Sequence, residues 1–371
     1  MSGIAHAKPA VPATENCRFC WMCRQVCPVG HVTSRETLTP HAWALTIESV
    51  KRGQLPWNRE TADVMYACAD CGLCRSHCVT DQALPDAIAS ARADIVRRGL
   101  APDIVADIDL RLRAHGNAYS SESPAARGPK GPIALFVGDT GRYRGAAAVD
   151  AAVKLLRAIG TDVVPICSGR SSGLLANALG LTETAETLGR AVLEDVEASG
   201  AREVLVLAPG DRWAFEYVYP HRLGLTWPAA VAVREVTDVL AGAAADGRLR
   251  FDRRGDEESY GYHDPCHAPR VAADRAAPRA LLAAAIGASG VRNLFWRGSR
   301  AHPCGAIGGL EFTSPDIARR LAEARLADAA SAGAGVLITE DPMCVAHLSA
   351  HGREGLAVRG LYELLAGRMR K

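Results

Sequence analysis

Cysteine spacing constrains this chain more than any other feature. Cys17, Cys20, Cys23 and Cys27 form a C-x2-C-x2-C-x3-C run followed by Pro28, and Cys68, Cys71, Cys74 and Cys78 repeat it without the proline. Three thiolates at two-residue intervals wrap one face of a four-iron, four-sulfur cubane. The fourth cysteine of such a run ligates the other cluster when two are present. The spacing therefore predicts two 4Fe-4S clusters, one on Cys17, Cys20, Cys23 and Cys78, the other on Cys68, Cys71, Cys74 and Cys27. Structural zinc also takes four thiolates, but usually from two separated pairs and not from three in a tight row plus one more. Two full copies of the run favour iron and sulfide. Two adjacent cubanes make a wire for single electrons, with no substrate chemistry of their own.

The chain has 12 cysteines, and the remaining ones, Cys167, Cys266, Cys304 and Cys344, are scattered. A formal net charge of +2 and an aromatic content of 5% give no field and no base-stacking surface for nucleic acid. Cysteines this dense are metal ligands more often than disulfide partners in a reducing compartment. The stretch Met1 to Asn16 lacks the apolar core of a secretory signal. No run reaches the roughly 18 apolar residues of a membrane span. The expected location is the cytoplasm, with a peripheral position on the inner face of the cytoplasmic membrane left open.

With 371 residues, the chain is sized for two or three domains. Residues 1–15 read as a flexible tail and 16–118 as an α-helical cluster domain. In the spacer between the runs, Thr39 is placed to cap a helix that starts at Pro40 and stops at Gly53, with Trp43, Ile47 and Val50 on one face. A second helix is expected from near Pro85 to Gly99. The polar, Pro/Gly-rich stretch Ser120 to Pro132 marks a linker over 119–132. Beyond it, apolar strands alternate with Ala/Leu-rich helices, which argues for α/β architecture. Strands are expected at Ile133–Gly138, Asp162–Ile166, Glu203–Ala208, Tyr260–His263, Arg292–Trp296 and Gly335–Thr339. They read as one unit of three used twice, over 133–245 and 256–371. IALFVGD, ending at Asp139, matches YGYHDPC, ending at Cys266, and Pro209 superposes on Pro342. Leu356 to Leu365 is expected to be a terminal amphipathic helix. The fold class is α+β and multidomain: a helical ferredoxin-like domain, then a duplicated α/β domain.

Paired cluster runs, a helical spacer and a duplicated unit with His263-Asp264-Pro265-Cys266-His267, Cys304-Gly305 and Asp341-Pro342-Met343-Cys344 resemble a known family. It joins a two-cluster ferredoxin domain to a cysteine-rich (CCG) domain, in subunits of anaerobic glycerol-3-phosphate dehydrogenase, glycolate oxidase and heterodisulfide reductase. Each family unit carries one cysteine after its first strand, a Cys-Cys-Gly triplet after its second and a Cys-x-x-Cys after its third. By that pattern the second unit keeps Cys266, Cys304 and Cys344, with Asp341 in place of one ligand. The resemblance implies a third site there for zinc or iron–sulfur, completed by Asp341, His263 or His267, or else an empty crevice. In the first unit Asp139, Cys167-Ser168-Gly169 and Ala208 to Asp211 take the same places, so no metal is expected and Cys167 is expected to be a buried small hydrophobe.

The family implies an electron-transfer subunit, not itself the catalytic one, that takes single electrons from a flavoprotein dehydrogenase. The acceptor is quinone, an electron-transferring flavoprotein or another carrier. The competing reading is a heterodisulfide or thiol reductase-like catalytic subunit working at Cys266, Cys304 and Cys344. A zinc-stabilised scaffold is a third. His31, His41 and His77 lie near the cluster runs, and Trp21, between two ligands, is expected to shield its cluster from water.

Overall fold

The computed structural model of the chain describes residues 14–15, 17–122, 130–252, 258–272 and 275–370. Most of the expected tail and the middle of the expected linker lie outside the described residues.

The N-terminal part is helical. Helices α1 (Pro40–Lys51), α2 (Arg59–Tyr66), α3 (Leu84–Arg97) and α4 (Asp103–His115) surround the two cysteine runs. Pro40 occupies the first turn of α1, where its missing N–H costs nothing. The expected cap does not form: the Thr39 hydroxyl donates to the Glu36 carbonyl oxygen instead. In α2 the cap is a reciprocal box, with Asn58 Oδ1 accepting from the Thr61 N–H and Thr61 Oγ1 accepting from the Asn58 N–H. Trp43, Ile47 and Val50 are buried on one face of α1, and truncating a buried tryptophan such as Trp43 to alanine costs about 3–5 kcal/mol.

Two four-stranded parallel sheets follow. The first contains β1 (Ile133–Phe136), β2 (Val164–Ile166), β3 (Glu203–Val206) and β4 (Ala232–Glu235), in the order β2-β1-β3-β4. The second contains β5 (Tyr260–Tyr262), β6 (Val291–Arg292), β7 (Val336–Thr339) and β8 (Ala357–Gly360), in the order β6-β5-β7-β8. Five of the six expected strands are present, each shorter than its expected span; the sixth is displaced, β6 being Val291–Arg292 and sharing only Arg292 with the expected Arg292–Trp296. Two were missed, β4 and β8, because AVRE and AVRG are edge strands with exposed or half-exposed residues and little apolar signal. The expected terminal helix is therefore corrected: its first part is β8, and a helix begins only at Leu361.

The units pack on each other through four helices. Ala146–Ala158 (α5, after β1) meets Leu361–Arg368 (α8, after β8), and Val236–Ala245 (α6, after β4) meets Ala276–Ile286 (α7, after β5). The helix after the first strand of one unit thus contacts the helix after the last strand of the other, twice. Leu155, Leu156, Leu240, Leu281, Leu282 and Leu365 form the shared core. A separate core joins the helical domain to the first unit and takes in Cys266, Leu310, Ala318 and Leu321 of the second.

The cluster domain is docked on both units through Arg92 of α3, which is 1% exposed. Its guanidinium donates to the carbonyl oxygens of Met65 and Cys68 in its own domain, Ala178 in the first unit and Gly308 in the second. Gly180 and Gly308, both with positive φ, let the two units approach closely. A Cβ on Gly180 would stand 2.5 Å from the Arg92 backbone, and one on Gly308 would stand 2.6 Å from that of Ala69. No side chain fits at either contact.

Candidate metal centres

The two cysteine runs enclose two adjoining cavities. Cys17, Cys20, Cys23 and Cys78 line one of them, beside Trp21 and His41. Cys27, Cys68 and Cys71 line the other, beside Trp43 and Pro85. Cys74 lines both, so the cavities share a wall. The backbone makes this possible by visiting the left-handed region at Phe19, Trp21, Asp70 and Gly72. For the non-glycine residues this costs roughly 1–2 kcal/mol each. These turns reverse the chain between ligands. Cys27 caps the short helix Pro28–Thr33, its Sγ accepting from the Gly30 N–H at 3.4 Å, and Cys68 Sγ accepts from the Asp70 N–H at 3.4 Å. Such N–H···S bonds orient thiolates and adjust the potential of what they hold.

The electrostatics fit anionic clusters. Burial and the neighbouring thiols push Cys23 up to about 11. Burial pushes Cys68 up to about 12 against the pull of the Arg92 guanidinium. Thiols crowded in this way are stable only with their protons or with metal in their place. Arg92 makes no ion pair with a carboxylate among the described residues. A buried cation without an anion is costly, and a thiolate-bound cluster beside Cys68 supplies one. Arg270 does the same from the second unit. Its Nε donates to the Cys71 carbonyl oxygen at 3.1 Å, and its charge acts on Cys71, Cys266 and Cys74.

The cavities differ in exposure. The Cys20 residue is exposed, and Phe19, Trp21, Met22 and Val79 around it are exposed as well, Val79 to 76% and Trp21 to 53%. Trp21 therefore does not seal its cavity; it rests beside His41 with ring centroids 5.4 Å apart. Cys27, Cys68 and Cys71 are buried. His31 reaches across to the second unit, 5.3 Å from Trp296 and 5.4 Å from His302. His77 bonds the Leu73 carbonyl oxygen.

In the second unit His263, Cys304 and Cys344 converge, their ligating atoms within 4.8 Å of one another and all three buried. His263 follows β5, Cys304 follows β6 and Cys344 lies in the first turn of the helix Pro342–Ala350 after β7. Burial pulls His263 down to about 3, so its imidazole is neutral, and Nε2 is buried without a hydrogen-bond partner. That is a donor set for a soft or borderline metal. Cys266 lies just outside this trio, close enough to Cys71 and Cys304 for both charges to act on it. Asp341 is engaged otherwise: its Oδ1 accepts from the N–H groups of Met343 and Cys344 as the cap of the helix. Of the alternative partners for the three cysteines, the geometry brings in His263. His267 turns toward the cluster domain, with Nε2 2.8 Å from the Asp70 carbonyl oxygen.

The first unit has a different constellation in the same places. Cys167 is buried with a left-handed backbone, and its thiol donates to Asp195 Oδ2 at 3.3 Å. It is therefore a polar, hydrogen-bonded group and not a simple hydrophobe. Sequence reasoning also missed Arg92 and Arg270. Their only signal was position, Arg270 standing four residues after Cys266 and Arg92 in a helix assigned to packing.

Comparison with known proteins finds a match in the N-terminal part and another in the second α/β unit. A 4Fe-4S dicluster domain matches residues 13–81, and a cysteine-rich domain matches 260–349. One subunit of the dihydromethanophenazine:CoB–CoM heterodisulfide reductase of Methanosarcina acetivorans is 26% identical over 316 residues, covering 80% of this chain and 75% of that protein. One subunit of the fumarate reductase (CoM/CoB) of Methanothermobacter marburgensis is 24% identical over 388 aligned positions, covering 98% of this chain and 75% of its own length. A probable membrane-anchored ferredoxin of Chromohalobacter salexigens is 25% identical over 329 residues, and the chain spans 48% of it. Among solved structures, a hypothetical protein from Helicobacter pylori shares the fold with a TM-score of 0.61 and 8% identity, over 92% of this chain and 70% of that one. No helix among the described residues is long and apolar enough to cross a membrane. The cysteine-rich match covers the second unit alone, so the repeated strand order is a structural observation about the first. The chain thus resembles proteins that join a two-cluster 4Fe-4S ferredoxin domain to a cysteine-rich domain, and these matches support an iron–sulfur protein of electron transfer.

Proposed function

We propose that the chain is the electron-transfer subunit of an oxidoreductase complex. It relays single electrons from a flavin-dependent dehydrogenase partner to a quinone or another carrier. Two 4Fe-4S clusters carry them, one held by Cys17, Cys20, Cys23 and Cys78, the other by Cys68, Cys71, Cys74 and Cys27. The observation that carries this reading is the pair of thiol-lined cavities with a common wall at Cys74. Each cluster, when bound, takes up and releases one electron at a time. The protein's own contribution is to hold the sites side by side, to offset their negative charge with Arg92 and Arg270, and to keep water from the inner one.

The exposed apolar rim of Phe19, Trp21, Met22 and Val79 is the docking face for the redox partner. It surrounds Cys20, the most exposed cysteine of the outer site, and aromatic and Met side chains are enriched at protein interfaces. From there the route runs inward, through Cys74 to the buried site and on to Cys266, whose thiol feels the charge of Cys71. His263, Cys304 and Cys344 at the end of this route are proposed as ligands of a third metal or cluster. Their convergence keeps a second reading in play, a thiol or heterodisulfide reductase-like chemistry at that site.

Iron and acid-labile sulfide analysis of anaerobically purified protein tests the first reading. About eight iron per chain, with two interacting EPR signals on reduction, is the expected result. Iron-free, EPR-silent protein refutes it. Cys304→Ser separates the readings: reduction of the N-terminal clusters survives it if the chain is a relay, and turnover vanishes if the third site is catalytic.

A further inference from the structure

The first unit's aspartates line an open cleft between the two α/β units. The cleft lies at the C-terminal ends of both sheets, where parallel α/β folds bind ligands. Asp139 and Asp211 stand where the second unit has Cys266 and Cys344. Asp341 and Met343 enter the lining from the second unit, and Asp70 enters from the loop between two cluster cysteines. Leu174, Leu175, Ile307 and Phe312 make up much of the rest.

Three observations narrow the occupant. Among the described residues no lysine or arginine lines the cleft, which carries Asp139, Asp211, Glu311 and Asp341 instead, so nothing there offsets the charge of an anion. A bare cation is not held either: among the described residues, only His263, Cys304 and Cys344 bring three ligating atoms within 4.8 Å. The polar groups of the cleft are spread over molecular dimensions instead. Third, His267 presents an unsatisfied acceptor. Its Nε2–H donates to the Asp70 carbonyl oxygen, which leaves Nδ1 as the ring's acceptor. Among the described residues that nitrogen has no partner, on a residue only 2% exposed, and a Cβ on Gly210 beside it would stand 3.8 Å away.

We infer that this cleft binds a small uncharged molecule of the quinone class, an apolar ring with two oxygen acceptors; the inference rests on the electron-transfer reading above. The apolar wall takes the ring, the Asp139 and Asp211 carboxyl groups donate to its oxygens, and His267 Nδ1 accepts the O–H of the reduced form. Reduction of a quinone to a hydroquinone takes two electrons and two protons, one proton on each oxygen. The electrons arrive singly from reduced iron–sulfur clusters. The protons leave Asp139 and Asp211, which regain them from solvent. Both carboxyls keep some accessible surface on the cleft wall, while loss of bulk water pushes each up to about 7 and so preserves the donor form at neutral pH.

Calorimetric titration of menadione into the oxidised, cluster-loaded full chain tests this. One saturable site per chain is expected. Asp139→Leu and Asp211→Leu each weaken binding about tenfold, the worth of one hydrogen bond to a buried group. Asp211→Asn, which keeps a donor, stays within about threefold. Leu175→Trp fills the cleft without touching a carboxyl and abolishes binding. Iron content and the EPR spectrum of the reduced clusters stay as in the wild type throughout, which separates this inference from the relay itself: loss of iron indicts the relay. Cluster-loaded protein that binds no menadione, or binds it equally well in the leucine and tryptophan variants, overturns the inference.

Discussion

The two α/β units share a strand order and differ in the residues at their strand ends. Both sheets run second strand, first, third, fourth, all parallel. After the first strand stands Cys266 in one and Asp139 in the other; two residues past the matched proline stand Cys344 and Asp211. The sulfur version brings three ligating atoms together, two thiols and a neutral histidine. The carboxyl version spreads its acids along a cleft. The scaffold is thus indifferent to the chemistry it carries, because sheet and helix packing are set by residues that never reach the loop tips. What separates a cluster of metal-ligating side chains from a carboxyl-lined cleft here is a handful of side chains on equivalent turns.

The comparison breaks most visibly on metal content. Cys304→Ser is expected to remove all metal beyond the two N-terminal clusters, whereas Cys167→Ser, at the matching loop of the first unit, leaves the metal count unchanged. Elemental analysis of the two variants side by side decides it. Equal counts would mean that the second unit holds no metal.

Next in size is the docking of each unit on the cluster domain. Gly308→Ala and Gly180→Ala each force a Cβ into backbone from a left-handed conformation, and thermal unfolding should report a loss of about 2–4 kcal/mol for each. Only Gly308→Ala presses on Ala69, between Cys68 and Asp70, so only that variant should also alter the EPR spectrum of the inner cluster.

Arg270 sharpens the contrast electrostatically. Its counterpart four residues after Asp139 is Tyr143, which packs on Tyr119 with ring centroids 5.4 Å apart. Arg270→Gln removes a positive charge beside Cys71 and should lower the inner cluster's potential. The drop is on the order of 100 mV for a unit charge roughly 7 Å away at an effective dielectric of about 20. Tyr143→Phe should leave the potential where it was. Redox titration followed by EPR measures both.

A further effect is the pH slope that Asp139 and Asp211 give the first unit. Asp139 and Asp211 are raised by burial to about 7, so the folded protein binds protons there that the unfolded chain has already released. Stability from these groups is present below about pH 4 and is lost as pH rises toward 7, at up to roughly 1.4 kcal/mol per pH unit for each. Asp211→Asn should flatten the fall in melting temperature between pH 5 and 7. A slope unchanged by that substitution would mean the carboxyl titrates normally.

Much of this was legible before any coordinates. The C-x2-C-x2-C-x3-C runs specify their chemistry because a cubane dictates ligand spacing along the chain, a local constraint written in neighbouring residues. Helix α1 was readable from Pro40 and the Trp43/Ile47/Val50 stripe for the same reason. The alternation of strands and helices, and the kinship of IALFVGD with YGYHDPC, announced the paired units. Edge strands β4 and β8 were not legible, since a half-exposed strand lacks the apolar run by which strands are recognised.

Tertiary structure alone decided three things. It chose His263 over Asp341 beside Cys304 and Cys344, because the Asp341 carboxylate is taken by the N–H groups of the helix it caps. It placed Arg92 and Arg270 against the inner cavity, contacts that span up to 216 residues of chain and leave no trace in local pattern. And it gathered Asp139, Asp211, Glu311, Asp341 and His267 from separate segments into one cleft. Spacing along a chain encodes ligands that lie within a few residues of each other; which distant side chains meet is set by how the units pack, and that is a property of the folded molecule.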